Sequence, residues 1–194
     1  MDVYGDFWGG RQGGYQMQQN PDEFARLCLL LAAFEPYQCA LDIGVSQGGA
    51  YRFVRECVDI RQSYVIEDGK HPGASLWKYN KSQFADATVE FQGDSHSEEC
   101  RKWLKSCDAA FDLVSIDGDH RYDGVRADWE LIMPYLRTGA LVWFHDIRVL
   151  QSDCEVSRLW QEIKSLKNVT IMMETPKPPT GQPLGIGVLR WHGA

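Results

Sequence analysis

Short apolar runs, each followed by a glycine- or acid-bearing turn and then by a helical run, recur along this chain, and that alternation narrows the available folds more than any other feature. The first such unit joins an apolar run at 39–43 to the turn 44–49 and to a helical pattern through Tyr51, Val54 and Cys57. Further strands are expected at 63–66, 88–91, 111–116 and 140–144, with helices at 97–106 and 124–136 between the last three. Strands that alternate with helices make a mostly parallel sheet covered on both faces. Ahead of the first strand, Asn20 reads as a helix N-cap, Pro21 as the first helical residue and Glu23 as the partner that closes a capping box. Phe24, Leu27, Leu31 and Phe34 then recur at helical spacing, and Glu35-Pro36 ends the helix. After a last helix at 155–166, strands at 169–173 and 185–191 flank a Pro-rich turn (Pro176, Pro178, Pro179, Pro183) and pair as an antiparallel hairpin. The expected fold class is therefore a three-layer α/β/α sandwich on a mostly parallel seven-stranded sheet with a C-terminal antiparallel hairpin.

With 44% hydrophobic and 24% charged residues, the composition excludes a disordered, collagen-like or coiled-coil chain. One domain is expected over 19–194. Residues 1–18, with five glycines between Gly5 and Gly14, form a leader without packing period. Its Tyr4, Phe7, Trp8, Tyr15 and Met17 fold over a substrate as a lid, stay a disordered end, or pack against a second subunit as a homodimer. Twenty Lys and Arg against 27 Asp and Glu leave a net charge of −7, the wrong sign for bulk nucleic-acid binding. The six cysteines form no C-x-x-C pair and read as reduced thiols. The first residues carry no basic n-region or apolar h-region, and the longest apolar run, 27–34, falls short of the ~20 residues that a membrane span needs. These features point to a cytoplasmic protein without a membrane partner.

In an open parallel sheet, ligands bind beyond the carboxyl ends of the strands, near the point where strand order reverses. Here those ends carry Asp42 and Gly44-Val45-Ser46-Gln47-Gly48-Gly49, Glu67-Asp68, Gly93-Asp94-Ser95, Asp117-Gly118-Asp119-His120, and His145-Asp146. The first turn admits three readings. A dinucleotide site prefers G-x-G-x-x-G, but Ser46 stands at its second glycine and Asp42 would face a pyrophosphate. Gly44-Val45-Ser46-Gln47-Gly48 also fits the G-x-S-x-G nucleophile elbow, which normally follows several earlier strands. The third reading is S-adenosylmethionine, whose ammonium and sulfonium favour a carboxylate such as Asp42. An acid at the end of the second strand, Glu67 or Asp68, then takes the ribose hydroxyls, and Asp94 accepts from the adenine amino group.

The segments 41–49, 93–95, 111–120 with Tyr122 and Asp128, 139–146, and Gly185-Ile186-Gly187-Val188 together resemble the class I S-adenosylmethionine-dependent methyltransferases. The similarity is nearest to the compact small-molecule O-methyltransferases related to catechol and caffeoyl-CoA O-methyltransferases. It implies a Rossmann-like fold and cofactor contacts at Asp42, Gly44, Ser46, Gly48, Gly49, Glu67, Asp68, Asp94, Ser95 and Asp117. In metal-dependent relatives the position of Asp117 binds a divalent cation such as Mg or Mn, and His145-Asp146 stand where those relatives have an Asp-Asn pair. A histidine in such a set moves preference from hard ions toward Mn, Fe or Zn. His120 stands where the relatives carry a lysine beside the accepting hydroxyl, and it is expected to act with Asp117 as the catalytic pair, taking the hydroxyl proton. His71, His96 and His192 are expected at the surface, and Trp77, Tyr79, Trp143 and Trp160 in the core or at its rim. The expected activity is methylation of a small-molecule hydroxyl on a sugar, phenol or natural product. A nicotinamide-dependent (NAD(P)) oxidoreductase on the same fold and a non-catalytic cofactor-binding protein are the competing classes.

Overall fold

The structure, a computed structural model, describes residues 19–82, 88–149, 153–176 and 184–193. The leader 1–18 lies outside these residues, and with it the lid and homodimer expectations. Seven strands form one sheet: β1 (Tyr37–Ile43), β2 (Ile60–Glu67), β3 (Thr88–Gln92), β4 (Phe111–Ile116), β5 (Leu136–Phe144), β6 (Val169–Glu174) and β7 (Gly187–Trp191). Their order is β3-β2-β1-β4-β5-β7-β6. β1 to β5 run parallel, whereas β7 lies antiparallel to both β5 and β6, so the terminal hairpin is as expected.

The helices among the described residues are α1 (Pro21–Ala32), α2 (Gly49–Cys57), α3 (Ala74–Asn80), α4 (Glu98–Ser106), α5 (Tyr122–Ile132) and α6 (Val156–Ile163). None is long and apolar enough to cross a membrane. Asn20 caps α1, its side chain accepting from the amides of Asp22 at 3.0 Å and Glu23 at 3.4 Å. Glu23 does not close the expected capping box. Its buried carboxylate accepts from Thr175 Oγ1 at 3.2 Å and from the Gly185 amide at 3.1 Å, joining α1 to the chain on either side of 177–183. α5 stops at Ile132, earlier than its apolar pattern suggests, because Pro134 cannot continue the ladder and the chain tightens into a 3-10 turn at Met133–Tyr135. α3 was not expected from the sequence.

The strands are apolar on both faces, as parallel strands between two helical layers must be. Leu41, Ile43, Val114, Ile116, Val142 and Phe144 face α4, α5 and α6; Ala40, Leu113, Leu141 and Trp143 face α1 and α2. On α1, Phe24, Leu27, Cys28 and Leu31 form the buried stripe, and sealing each large apolar side chain there contributes roughly 1.5–3 kcal/mol. α3 covers the end of β2 through Trp77, which packs with Tyr51 and Val65. Trp77, Trp143 and Trp160 are core residues, while Tyr79 is exposed. The chain leaves β1 toward β2 on one side and, after β3, returns to β4 on the other, so the strand order reverses between β1 and β4. A ligand crevice belongs at their carboxyl ends.

Candidate functional site

A cavity of about 470 Å³ opens at that reversal point. It is lined by four of the five strand ends considered above, without Gly48 of the first and without His145-Asp146, and by Gln19 just ahead of α1. Gly44 (φ +77°) sits where β1 and β4 part: a Cβ there would stand 2.3 Å from the Asp117 carbonyl oxygen, so only glycine fits. Gly48 (φ +88°) is pressed against the Trp77 ring, where a Cβ would be 2.7 Å away. Between them Ser46 also has a positive φ of 51°, and Gly49 opens α2.

Glu67, at the end of β2, holds this turn in shape. Its Oε2 accepts from the amides of Val45 and Ser46, both at 2.9 Å, and its Oε1 from the Gly69 amide at 2.9 Å. Asp68 turns outward to the Lys70 amide (2.8 Å) and ammonium (2.9 Å). Of the two acids left open by sequence, Glu67 is the buried one, and both line the cavity.

Asp42 lines the cavity, and one of its carboxylate oxygens, Oδ2, is held by an arginine. The Arg55 guanidinium of α2 donates to Asp42 Oδ2 at 2.7 Å, to Ser63 Oγ at 2.8 Å and to the Tyr51 carbonyl at 3.0 Å, and lies over the Tyr51 ring at 3.3 Å. Nothing in the spacing of α2 announces this pairing, since an Arg in that place reads as a solvated residue.

Asp94 and Ser95 also line the cavity. The Asp94 carboxylate accepts from the His96 amide at 2.9 Å. His96 was expected at the surface, but it lines the cavity and its Nε2 lies 3.2 Å from Asp128, which is fully buried on α5. The Asp128 contact raises the His96 pKa against the opposing effect of burial. His71 is exposed, as expected, and also lines the cavity, with Nδ1 2.8 Å from Ser46 Oγ and accepting from the Gly73 amide at 3.0 Å. His192 is exposed, as expected, and its Nε2 contacts Thr170.

The remaining candidates meet at the ends of β4 and β5. Ser115 pairs with Trp143 in the sheet, so two residues further on Asp117 and His145 stand level on the same face. His145 Nδ1 is 3.4 Å from Asp117 Oδ1 and 3.3 Å from Asp146 Oδ1. His120 bridges the same carboxylates, with Nε2 3.2 Å from Asp117 Oδ1 and Nδ1 3.3 Å from Asp146 Oδ2. Gln19 donates to Asp117 Oδ2 at 3.3 Å, a contact its place just ahead of the N-cap did not reveal. Burial alone would lower the His145 pKa, but Asp117 and Asp146 overcome it and push it up to about 10. His120 is likewise raised, because the two carboxylates outweigh its burial. Asp117 moves the other way: burial would raise it, yet the charge on His145 and the contact with His120 hold it well below the usual carboxylate range. Asp146 adopts φ 59°, which Asp tolerates better than most residues. The ligand atoms of Asp117, His145 and Asp146 all lie within 4.8 Å of one another, and the buried Asp146 Oδ1 makes no hydrogen bond among the described residues. Such a donor set suits a divalent cation.

A parallel sheet of this order ending in an antiparallel hairpin, with a ligand cavity at its reversal point, is the Rossmann-like fold of the class I methyltransferases. A family model described as a methyltransferase domain matches residues 41–147, just over half of the chain, and the chain belongs to that family. An O-methyltransferase from Bacillus cereus in complex with SAH superposes with a TM-score of 0.70 at 16% identity, covering 89% of this chain and 82% of that one. An O-methyltransferase from Streptomyces achromogenes involved in tomaymycin synthesis, in complex with SAM, gives 0.65 at 18% identity, with 89% and 80% covered. An uncharacterized protein of Sinorhizobium fredii (strain NBRC 101917 / NGR234) is 35% identical over 60 residues, which is 31% of this chain. That match spans 7% of the relative's own length.

Proposed function

We propose that the chain transfers the methyl group of S-adenosylmethionine to a hydroxyl of a small-molecule acceptor. The observation that carries this reading is the cavity at the reversal point, with Glu67, Asp94 and Asp117 at the ends of three parallel strands around it. Membership of a methyltransferase family supports it, as do the B. cereus and S. achromogenes proteins, which carry SAH and SAM on the same fold. Glu67 keeps the glycine turn in shape and faces the ribose, with Asp68 further out. Asp94 and Ser95 serve the adenine, and Asp42 acts through Arg55 as a buried support for the cofactor end of β1.

Methyl transfer requires the acceptor oxygen in line with the S–CH3 bond, and holding it near ~3 Å contributes on the order of several kcal/mol. His120 accepts the hydroxyl proton. The uptake takes place at Nε2 once the acceptor hydroxyl takes the place of Asp117 at that nitrogen, while Asp146 at Nδ1 holds the ring and stabilises the imidazolium that forms. Asp117, His145 and Asp146 would also hold a divalent cation, as their mutual distances and the unsatisfied Asp146 oxygen support. Such an ion, when bound, lowers the pKa of a hydroxyl beside it. The net charge of −7 favours a small acceptor over nucleic acid, and six free thiols fit a reducing, cytoplasmic setting.

Calorimetric titration with S-adenosylhomocysteine, with NAD as control, tests the cofactor; release of S-adenosylhomocysteine over a panel of sugars, phenols and natural products tests the reaction. Saturable binding of S-adenosylhomocysteine alone is expected. His120→Ala should keep that affinity and slow turnover by about 10²–10⁴-fold. A preference for NAD, or no binding, overturns the reading, and binding without turnover on any acceptor reduces it to a cofactor-binding protein.

A further inference from the structure

Asp146 is the shared corner of two potential ligand triads. Its carboxylate groups with Asp117 and His145, and again with His120 and Cys154; within each triad the ligand atoms lie within 4.8 Å of one another. Cys154 arrives from the chain just ahead of α6, with its Sγ 3.9 Å from the Asp146 carbonyl oxygen. Asp146 is 8% exposed, and its Oδ1 points into the cluster, 3.3 Å from His145 Nδ1, without a hydrogen bond among the described residues. The buried Nε2 of His145 is unpartnered in the same sense. Buried polar atoms without partners are uncommon, and the Asp146 oxygen, beside a second carboxylate and an imidazole, marks a place that a cation completes.

The donor types identify the ion. Magnesium and calcium take oxygen ligands and retain water, and a site for them gains nothing from sulfur or imidazole. Zinc and cobalt take thiolate and imidazole readily together with carboxylate. We propose that His120, Asp146 and Cys154, joined by Asp117 and His145, form a centre that selects a zinc-class transition ion over magnesium, with Cys154 as its discriminating ligand. This rests on the cation reading given above, adds a sulfur ligand to it and takes His120 as a ligand instead of the proton acceptor, so that with the ion bound the lowered pKa of the acceptor hydroxyl would stand in for that base. Binding breaks the Cys154 S–H bond and one N–H bond of each imidazolium that becomes a ligand: these protons leave to solvent, the freed lone pairs go to the ion, and no electron is transferred.

The test uses the full chain, stripped with a chelator and titrated with Co(II), Zn(II) and Mg(II), with absorbance and calorimetry read together. Co(II) should give a thiolate-to-metal charge-transfer band that Zn(II) abolishes by displacement and Mg(II) does not. Cys154→Ser should remove the band and weaken Zn(II) binding by at least about tenfold, whereas Cys107→Ser should keep both. Cobalt bound without a thiolate band, equal competition by Mg(II), or an unchanged Zn(II) affinity in Cys154→Ser overturns the proposal while leaving a cation at Asp117, His145 and Asp146 intact. Failure of every ion to bind removes both. The band of the unsubstituted protein decides the matter even if Cys154→Ser does not fold, and S-adenosylhomocysteine affinity in the same samples keeps the methyltransferase reading separate.

Discussion

The Arg55 guanidinium and the Asp42 carboxylate form a nearly buried ion pair, 2.7 Å apart and with each side chain 11% exposed, between α2 and the carboxyl end of β1. Two charges withdrawn from water depend on each other, so the two single substitutions should differ. Arg55→Met leaves Asp42 uncompensated and should cost about 3–5 kcal/mol of folding stability. Asp42→Asn leaves a guanidinium that still has Ser63, the Tyr51 carbonyl and the Tyr51 ring, and should cost less. The double variant should be more stable than Arg55→Met alone. Urea unfolding of the three proteins measures this, and a loss below about 1 kcal/mol for Arg55→Met would show the pair to be no more than a surface contact.

Two glycines with positive φ separate conformational strain from steric exclusion. Gly44→Ala adds a methyl 2.3 Å from the Asp117 carbonyl oxygen, a backbone atom that cannot move without parting β1 from β4. Gly139→Ala meets nothing nearer than the Arg190 side chain at 3.5 Å. The second substitution should cost only the backbone term, roughly 1–2 kcal/mol. The first should add an overpacking cost of about 1–3 kcal/mol or more and abolish S-adenosylhomocysteine binding. Thermal melts and calorimetry on both variants decide, and equal losses would mean that the close approach at Gly44 is dispensable.

What could be read in advance follows from how far each interaction reaches. The strand-turn-helix alternation is local, so the parallel sheet, its hairpin and the strand-end residues are all visible in the chain. α3 is not, because Ala74–Asn80 buries only Ala74 and Trp77 and begins in the turn-like His71-Pro72-Gly73. Glu23 satisfied a local rule, the capping box, yet its carboxylate is taken by Thr175 and Gly185 more than 150 residues away. Arg55 and His96 look like solvated residues until the packing supplies Asp42 and Asp128. The Asp117–His145 pair lies between these cases: register along β4 and β5 brings the two together, and register becomes readable only once the strand neighbours are known.

His96 carries a pH dependence whose sign follows from its partners. The hydrogen bond to Asp128 raises its pKa most; burial opposes this, and the charges of Asp128, Asp94 and Asp119 add to the rise. A group whose folded pKa is raised stabilises the fold below its unfolded pKa, about 6.5 for histidine, and loses that contribution as pH climbs through the folded value. The stability advantage of the native chain over His96→Gln should therefore be larger at about pH 5.5 than at about pH 9. Urea unfolding of both proteins at the two pH values gives the difference directly. An advantage that is constant, or that grows with pH, would mean that His96 is not held as a cation by Asp128.

Glu23 is 2% exposed and couples the first helix to the last hairpin. Its two oxygens take the Thr175 hydroxyl and the Gly185 amide, while Thr175 Oγ1 also accepts from the Ile186 amide at 2.8 Å. Removing the carboxylate strands a buried donor on Gly185, at a cost of about 1–3 kcal/mol for an unsatisfied buried group. Glu23→Ala should thus lower the melting temperature and speed amide exchange at Thr175, Gly185 and Ile186, leaving exchange in β1 and β2 little changed. Glu23→Gln retains one acceptor oxygen and should recover part of the loss. Because α1 also begins beside Gln19, which reaches Asp117, the loosened helix should weaken the positioning of Asp117 as well. Turnover in Glu23→Ala should then fall more than S-adenosylhomocysteine affinity. If only global stability changes and turnover per folded molecule stays constant, Glu23 is a fold anchor without influence on the site.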